Sequence, residues 1–416
     1  MNIPELLAPA GSLESIQAAC DHGADAVYTG IGPYNLRARC GNFSVDEFRD
    51  AAAYVRSCGV RIYVAVNTMP DDDGLARIDC LLSLLAKASA VPDAFIISDP
   101  GVLTLCKKYC GNVPLHLSTQ TGTFNSASAL FWKSQGVNRI ILPREMSLEE
   151  IASFVKKTGM ETEVFVHGAI CVSISGRCLL GAYLGKRHPN RGDCPQPCRL
   201  EYRITPCEGK IESGQWLTVE EEHGKTADEN KTYILNSKDL NTVSILPQIV
   251  STGVKSLKIE GRNKSSHYVA SVVKVYREAL DAYSRDPGNY SVRSEWVDIL
   301  NSLEHRTYTT GFYTGEYFMQ ETGSSREASN VRMVGTVKAV TDNGEAIIDV
   351  KNPFGVLETL NVLPVRRNRI PFGLHPVLLT DIDRNPIDRA ITNRVVMLTA
   401  KETLRVGDML RREEKP

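Results

Sequence analysis

Four cysteines in one short stretch have the residue type and spacing to hold a metal centre. They are Cys171, Cys178, Cys194 and Cys198, in the pattern C-x6-C-x15-C-x3-C. Thiolates are soft ligands, and four of them suit an iron–sulfur cluster or a zinc ion. Pro195 and Pro197 stiffen the turn between the last two sulfurs and favour their convergence. Buried cysteines packed as small hydrophobes are the plain alternative. Four in so short a window, with glycines and prolines between them, argue against it. Structural zinc usually shows two close cysteine pairs, and here only Cys194 and Cys198 form one. The spacing suits a cluster held in a loop at the mouth of a larger fold.

Around that loop, the first 265 residues repeat one phrase: a short apolar run, a polar tip, then a helical pattern. The runs cover 5–8, 26–29, 62–67, 94–98, 115–118, 139–144, 163–167 and 256–260. Near-continuous apolar strands alternating with helices mean a parallel sheet buried on both faces. Eight of them match an α/β fold of the (β/α)8 TIM-like barrel type. A ninth candidate strand, 233–236, either forms a hairpin with 202–204 or joins the barrel. Barrel enzymes build their sites at the C-terminal ends of the strands. Here those tips carry Asn67, Gln120, Arg144, His167, Glu260 and Arg262, and the cysteine loop follows the His167 tip.

The rest of the chain divides by texture. The expected units are a barrel over 1–285, with a charged insertion at about 186–232, a helical linker over 286–329, and a small all-β barrel over 330–416. The insertion is polar and rich in charge. An amphipathic helix is expected from Tyr268 to Tyr283, ended by Asp286-Pro287-Gly288-Asn289. After 330 come short strands without helices, the first turning at Asp342-Asn343-Gly344, a strong hairpin signal. That region is rich in arginine, including Arg366, Arg367, Arg369, Arg384, Arg411 and Arg412. A solvated face and an RNA-facing patch are both open readings of these residues, with Arg366, Arg367 and Arg369 the candidates for RNA contact.

Composition narrows the class. A chain of 416 residues buries a large core and has room for two domains. No stretch approaches the roughly 18 apolar residues of a membrane helix, and the first residues lack the features of a signal peptide. Eleven cysteines, most of them scattered, point to a reducing, cytoplasmic setting. The net charge of −1 carries no global nucleic-acid signature, though it leaves room for a local basic patch.

The segment from Glu163 to Cys171, followed by Gly176-Arg177-Cys178, resembles the signature of peptidase family U32. The opening Glu5 to Gly11, the Gly-Ala-Asp-Ala-Val-Tyr at 23–28 and the Lys258 to Arg262 tip resemble it too. The stretch from His305 to Phe312 and the β-rich end are similar to the family's subgroup of tRNA hydroxylation proteins. That resemblance implies a tRNA partner and hydroxylation of the wobble uridine to 5-hydroxyuridine, with prephenate as a cosubstrate. It also implies an iron–sulfur cluster, of the 4Fe-4S type, on Cys171, Cys178, Cys194 and Cys198. Relatives that exchange one ligand for a distant cysteine make Cys40 the substitute to watch. Relatives hydroxylate ribosomal RNA or a quinone ring, older members were called collagenases, and a paralogous U32 subunit is a candidate partner.

The residues weigh these activities unequally. A peptidase needs a nucleophile with its base, or an activated water. Neither a Gly-x-Ser-x-Gly nor a His-Glu-x-x-His pattern is present, and nothing near Ser173 or Ser175 in sequence supplies a His–Asp pair. His167 is the one histidine at a strand tip that could act as a base. Arg144, Arg177 and Arg262 suit a dicarboxylate or a phosphate, because a guanidinium pairs with such groups in a fork. Lys258 and Glu260 fall on the same face of their strand. Together they are either an ion pair of the barrel core or an acid/base couple.

Overall fold

The computed structural model describes residues 3–211, 214–221, 231–315, 319–325, 329–365 and 369–414. Eight parallel strands close a barrel: β1 Glu5–Pro9, β2 Ala26–Gly30, β3 Arg61–Val66, β4 Ala94–Ile97, β5 Leu115–Leu117, β6 Arg139–Ile141, β7 Glu161–Ala169 and β8 Ser256–Ile259. Each pairs with the next, and β8 pairs in parallel with both β7 and β1, which closes the ring. All eight coincide with the apolar runs of the sequence. Helices lie between the strands with buried apolar faces, as in Leu13–His22, where Ile16, Ala18 and Ala19 are covered. Local chemistry starts and stops these helices. Ser44 and Ser147 form reciprocal caps with Glu47 and Glu150, and Gly23 and Gly159 end helices in the left-handed conformation.

Two further strands extend the barrel sheet beyond its mouth. Asp239–Asn241 runs antiparallel to the end of β7, with Asn241 opposite His167, and Tyr308–Thr309 runs parallel to it. The ninth candidate strand is corrected by this. Residues 233–236 form no strand; instead Lys231–Thr232 pairs with Arg203 and Tyr202, beside a hairpin of Tyr202–Ile211 and Gly214–Glu221.

The expected helix is Ser266–Arg285, and it is covered on several sides rather than along one stripe: 14 of its 20 residues are buried. It packs on Leu13–His22 and on the helix Ser294–Asn301 of the linker. After the linker, seven antiparallel strands curl into a half-barrel around Val334, Ile348, Leu379 and Leu410. The predicted hairpin joins Val331–Val340 to Ala346–Val350, with Gly344 at φ 82°. Leu363 and Met409 of this region pack into the barrel's own core. Among the described residues no helix is long and apolar enough to cross a membrane.

Candidate active site at the barrel mouth

Charge fills the barrel interior from below. At the N-terminal end, Arg139 is buried and donates to Glu5 at 2.7 Å and to Glu163 at 3.3 Å. One layer up, Lys258 Nζ donates to Glu163 Oε1 at 3.0 Å and stands 4.3 Å above the Tyr28 ring. Burial pushes the Glu163 carboxyl up, but Lys258 and Arg139 outweigh it and hold it below its ordinary value. Lys258 and Glu260 therefore do not form the isolated pair that their spacing suggested: the lysine's partner is Glu163.

Glu260 belongs to the next layer. Its carboxylate accepts from Arg37 at 3.4 Å, from Arg144 at 3.1 Å and from the Gly261 N–H at 3.2 Å. Burial raises its pKa, and the Arg37 and Arg144 guanidinium groups more than reverse that, so it stays ionised. Arg144 also lies 3.7 Å from the centre of the Phe165 ring, which fixes its plane. Arg37 lies in the loop after β2, outside the strand tips that the sequence marks as site residues. Its role at Glu260 depends on a contact across 223 residues, which no local pattern signals.

Above these groups lies a cavity of about 460 Å3 at the C-terminal end of the strands. Cys171, Cys178, Cys194 and Cys198 all line it, together with Lys258, Glu260 and Arg144. Asn67, Gln120 and Arg262 line it as well. Its wall carries four cationic side chains, Arg37, Arg144, Lys258 and Arg262, against the two carboxylates Glu145 and Glu260.

The cysteine loop is anchored by named contacts. Asn190 bonds both the N–H and the carbonyl of Cys178, at 3.2 and 3.1 Å. Arg199 donates to the Ile170 carbonyl at 3.2 Å and to Asn236 at 3.1 Å. Glu145 accepts the Ser175 N–H. The thiols lie close enough to act on one another. Burial raises Cys194 and Cys198, the latter to about 11, and the charges of the other cysteines add to this. Such thiols keep their protons until a bound metal displaces them and takes the thiolate as ligand. Among the described residues, no three Cys, His, Asp or Glu side chains stand in single-ion geometry. Cys40 is not part of the cavity wall.

Three expected site residues sit differently from their forecast. His167 is 1 % exposed and is not in the cavity wall. Phe165 pairs with Lys258 and His167 with Ile259, so β7 carries one extra residue at a bulge there. The bulge reverses the alternation and turns the imidazole outward, among the rings of Tyr268, Tyr276 and Tyr308. Burial lowers its pKa to about 3. Arg177 does not line the cavity; its Nε donates to the Gln120 carbonyl. Arg262 lines it, but its fork donates to Asn35 at 2.7 Å and Asn42 at 2.6 Å, rather than to Glu260. It holds the 35–42 loop that carries Arg37.

In the β-rich region, Arg369 is tied to the fully buried Asp408 at 3.0 Å. Arg411 is buried, and Arg412 donates to Glu358. Arg366 and Arg367 lie outside the described residues.

The sequence model of Peptidase family U32 matches residues 11–322. The chain belongs to peptidase family U32. Among curated U32-like relatives, the tRNA hydroxylation protein P1 of Bacillus subtilis is 36 % identical, over 80 % of this chain and 77 % of that protein. A 23S rRNA 5-hydroxycytidine synthase of Escherichia coli is 33 % identical, over 90 % of this chain and 54 % of its own. A collagenase of Porphyromonas gingivalis is 28 % identical, over 99 % of this chain and 98 % of its own.

Proposed function

We propose that this U32 chain hydroxylates a pyrimidine of RNA, namely a tRNA uridine, at C5. The observation that carries the reading is the meeting of four thiols with the Arg37–Glu260–Arg144 group in one cavity. The relatives named for tRNA hydroxylation and for 5-hydroxycytidine synthesis support the reaction class. The finer reading is wobble-uridine hydroxylation with prephenate as cosubstrate. A dicarboxylate suits a wall in which cationic side chains outnumber carboxylates.

The donor set fits an iron–sulfur cluster: four soft sulfurs face one space. One of them already accepts a backbone N–H, Cys178 from Leu180 at 3.3 Å. Cys171, Cys178, Cys194 and Cys198 would hold it, and it would supply one-electron chemistry at the cavity wall. The protein's own part is electrostatic and positional. Arg37 and Arg144 keep Glu260 ionised and give the cavity fixed dipoles. Phe165 and Tyr28 supply flat apolar faces beside them. An unpaired loop base enters such a pocket at little unstacking cost.

A peptidase reading has the collagenase relative in its favour. The cavity does not supply its chemistry: no histidine among the described residues lines it, and Ser173 and Ser175 are engaged with Cys171 and Glu145.

The test is mass analysis of nucleosides from cells lacking the gene and complemented with wild type, Glu260→Gln or Cys171→Ala. Wild type should restore 5-hydroxyuridine in tRNA, and both variants should fail. Restoration of a hydroxylated rRNA base or quinone instead would overturn the tRNA assignment. Cleavage of casein or collagen, lost on one side-chain substitution, would promote the peptidase.

A further inference from the structure

Beside the cysteines stands a surface that the proposed chemistry does not use. The short helix Leu180–Gly185 follows Cys178. Gly181 and Gly185, one turn apart, lie against prolines: a Cβ on Gly181 would stand 2.7 Å from both Pro189 and Pro195, and one on Gly185 would stand 3.2 Å from Pro195. At Gly181 a side chain would force a shift, and at Gly185 it would be a tight fit. The close approach clamps one face of the helix down and turns the opposite face, about 200° round from Gly181, to solvent. Tyr183 occupies that face and is 80 % exposed. Ile174, at 61 % exposed, and Val172, at 43 %, line the cavity mouth, so exposed apolar side chains stand both at the rim of the proposed site and on the helix that follows it in the chain. Exposed apolar side chains gathered at one place mark an interaction surface.

Charge identifies the kind of partner. Residues 171–200 carry five basic side chains, Arg177, Lys186, Arg187, Arg191 and Arg199, and one carboxylate, Asp193. That carboxylate is already neutralised between Arg39 and Arg187, each at 2.6 Å. Lys186 is exposed directly after the helix, held at φ 48°. An exposed aromatic followed by the exposed Lys186, in a loop whose Arg187 and Arg191 are held by Asp193 and Asp71, matches the recognition chemistry of single-stranded nucleic acid, in which bases stack and phosphates meet the charge.

We propose that the Leu180–Gly185 helix is a stacking platform for an unpaired RNA loop, with Tyr183 under the base next to the one in the cavity and Lys186 on the adjoining phosphate. This rests on the RNA reading above and adds the surface that selects a loop over a duplex.

The experiment is fluorescence anisotropy with the anaerobically purified protein and a labelled synthetic RNA hairpin bearing an unpaired pyrimidine loop. The same sequence annealed to its complement serves as comparison. Wild type should prefer the hairpin. Tyr183→Ala should weaken hairpin binding about tenfold and duplex binding little, and Tyr183→Trp should restore it. Lys186→Ala should lower the slope of log affinity against log salt by about 0.7, the amount for one phosphate on a single strand, while Tyr183→Ala should leave that slope unchanged. Equal hairpin affinity of wild type and Tyr183→Ala overturns the platform and leaves the RNA reading intact. Loss of self-association on sedimentation in Tyr183→Ala, with RNA affinity unchanged, makes the lip a protein contact instead. A wild type that binds no hairpin at low salt overturns the platform together with the RNA reading.

Discussion

Lys258 Nζ meets Glu163 Oε1 at 3.0 Å inside the barrel, one layer below the carboxylate of Glu260. Both partners are buried, and Glu163 also accepts from Arg139. The barrel core is therefore a stack of charges: Glu5, Arg139, Glu163, Lys258, and then Glu260 with its two arginines. Each charge is compensated by the next layer, which is how ionised groups persist where water is excluded.

Removing one member of this stack should cost far more than removing two. Lys258→Met leaves Glu163 half-compensated and should destabilise the fold by about 3–5 kcal/mol. The double variant Lys258→Met with Glu163→Gln should recover a large part of that loss in denaturant unfolding. Glu163 and Glu260 are both held below their ordinary pKa. Their stabilisation is present above the unfolded carboxylate value of about 4.3 and is lost as pH falls through the folded values. Equal stability of the single and double variants would contradict the stacked arrangement.

Histidines should make the fold acid-sensitive at a higher pH than the carboxylates do. Burial lowers His22 to about 4 and His116, His167 and His267 to about 3. Each is neutral when folded and takes up a proton on unfolding below its ordinary value of 6.5. Stability is then complete above that pH and falls as pH drops below it, by up to about 1.4 kcal/mol per unit for each histidine. Unfolding free energies measured at pH 7.5 and 5.5 should show this slope, and His167→Gln should reduce it by one proton. The pH profile of catalysis should carry no inflection from His167.

Arg369 was an RNA-contact candidate, and its buried partner gives it a different forecast. Asp408 is fully buried, and it also accepts the N–H groups of Val365 and Arg405. Arg369→Ala should lower the melting temperature of the β-rich region, by a loss of about 3–5 kcal/mol for a broken buried pair. The salt dependence of RNA binding should not change. A flatter salt slope at unchanged stability would return Arg369 to the RNA surface.

The difference between what the sequence displays and what it hides follows from range. Strands β1 to β8 are visible because parallel strands covered on both faces are mostly apolar, as Ala94 to Ile97 is, although Glu5, Arg139, Glu163 and Lys258 interrupt the runs with the charges of the barrel core. The cysteine loop is visible because its ligand types cluster in one segment. Asp239–Asn241 escapes notice because three residues beside a strand end have no periodicity. The Arg37–Glu260 contact is hidden because its partners are 223 residues apart. His167 misleads because a single extra residue at the β7 bulge exchanges the two faces of a strand, and alternation counted along the chain carries no sign of it.

The four-thiol wall yields the most direct prediction. Anaerobically purified protein should be brown, with iron and sulfide each near about four per chain if the cluster is of the four-iron type. Cys194→Ala should bleach it, since this sulfur lines the cavity with the other three. Cys40→Ala should keep both colour and iron, because that thiol is not in the cavity wall. Loss of iron in Cys40→Ala, with Cys194→Ala unaffected, would exchange the two in the ligand set. A colourless protein with one zinc per chain would leave the thiols as ligands and remove the redox centre from the proposed chemistry. Arg199→Ala separates ligation from anchoring. It removes the bonds to Ile170 and Asn236, so the loop should release iron faster under chelator while the freshly reconstituted absorption spectrum stays that of wild type.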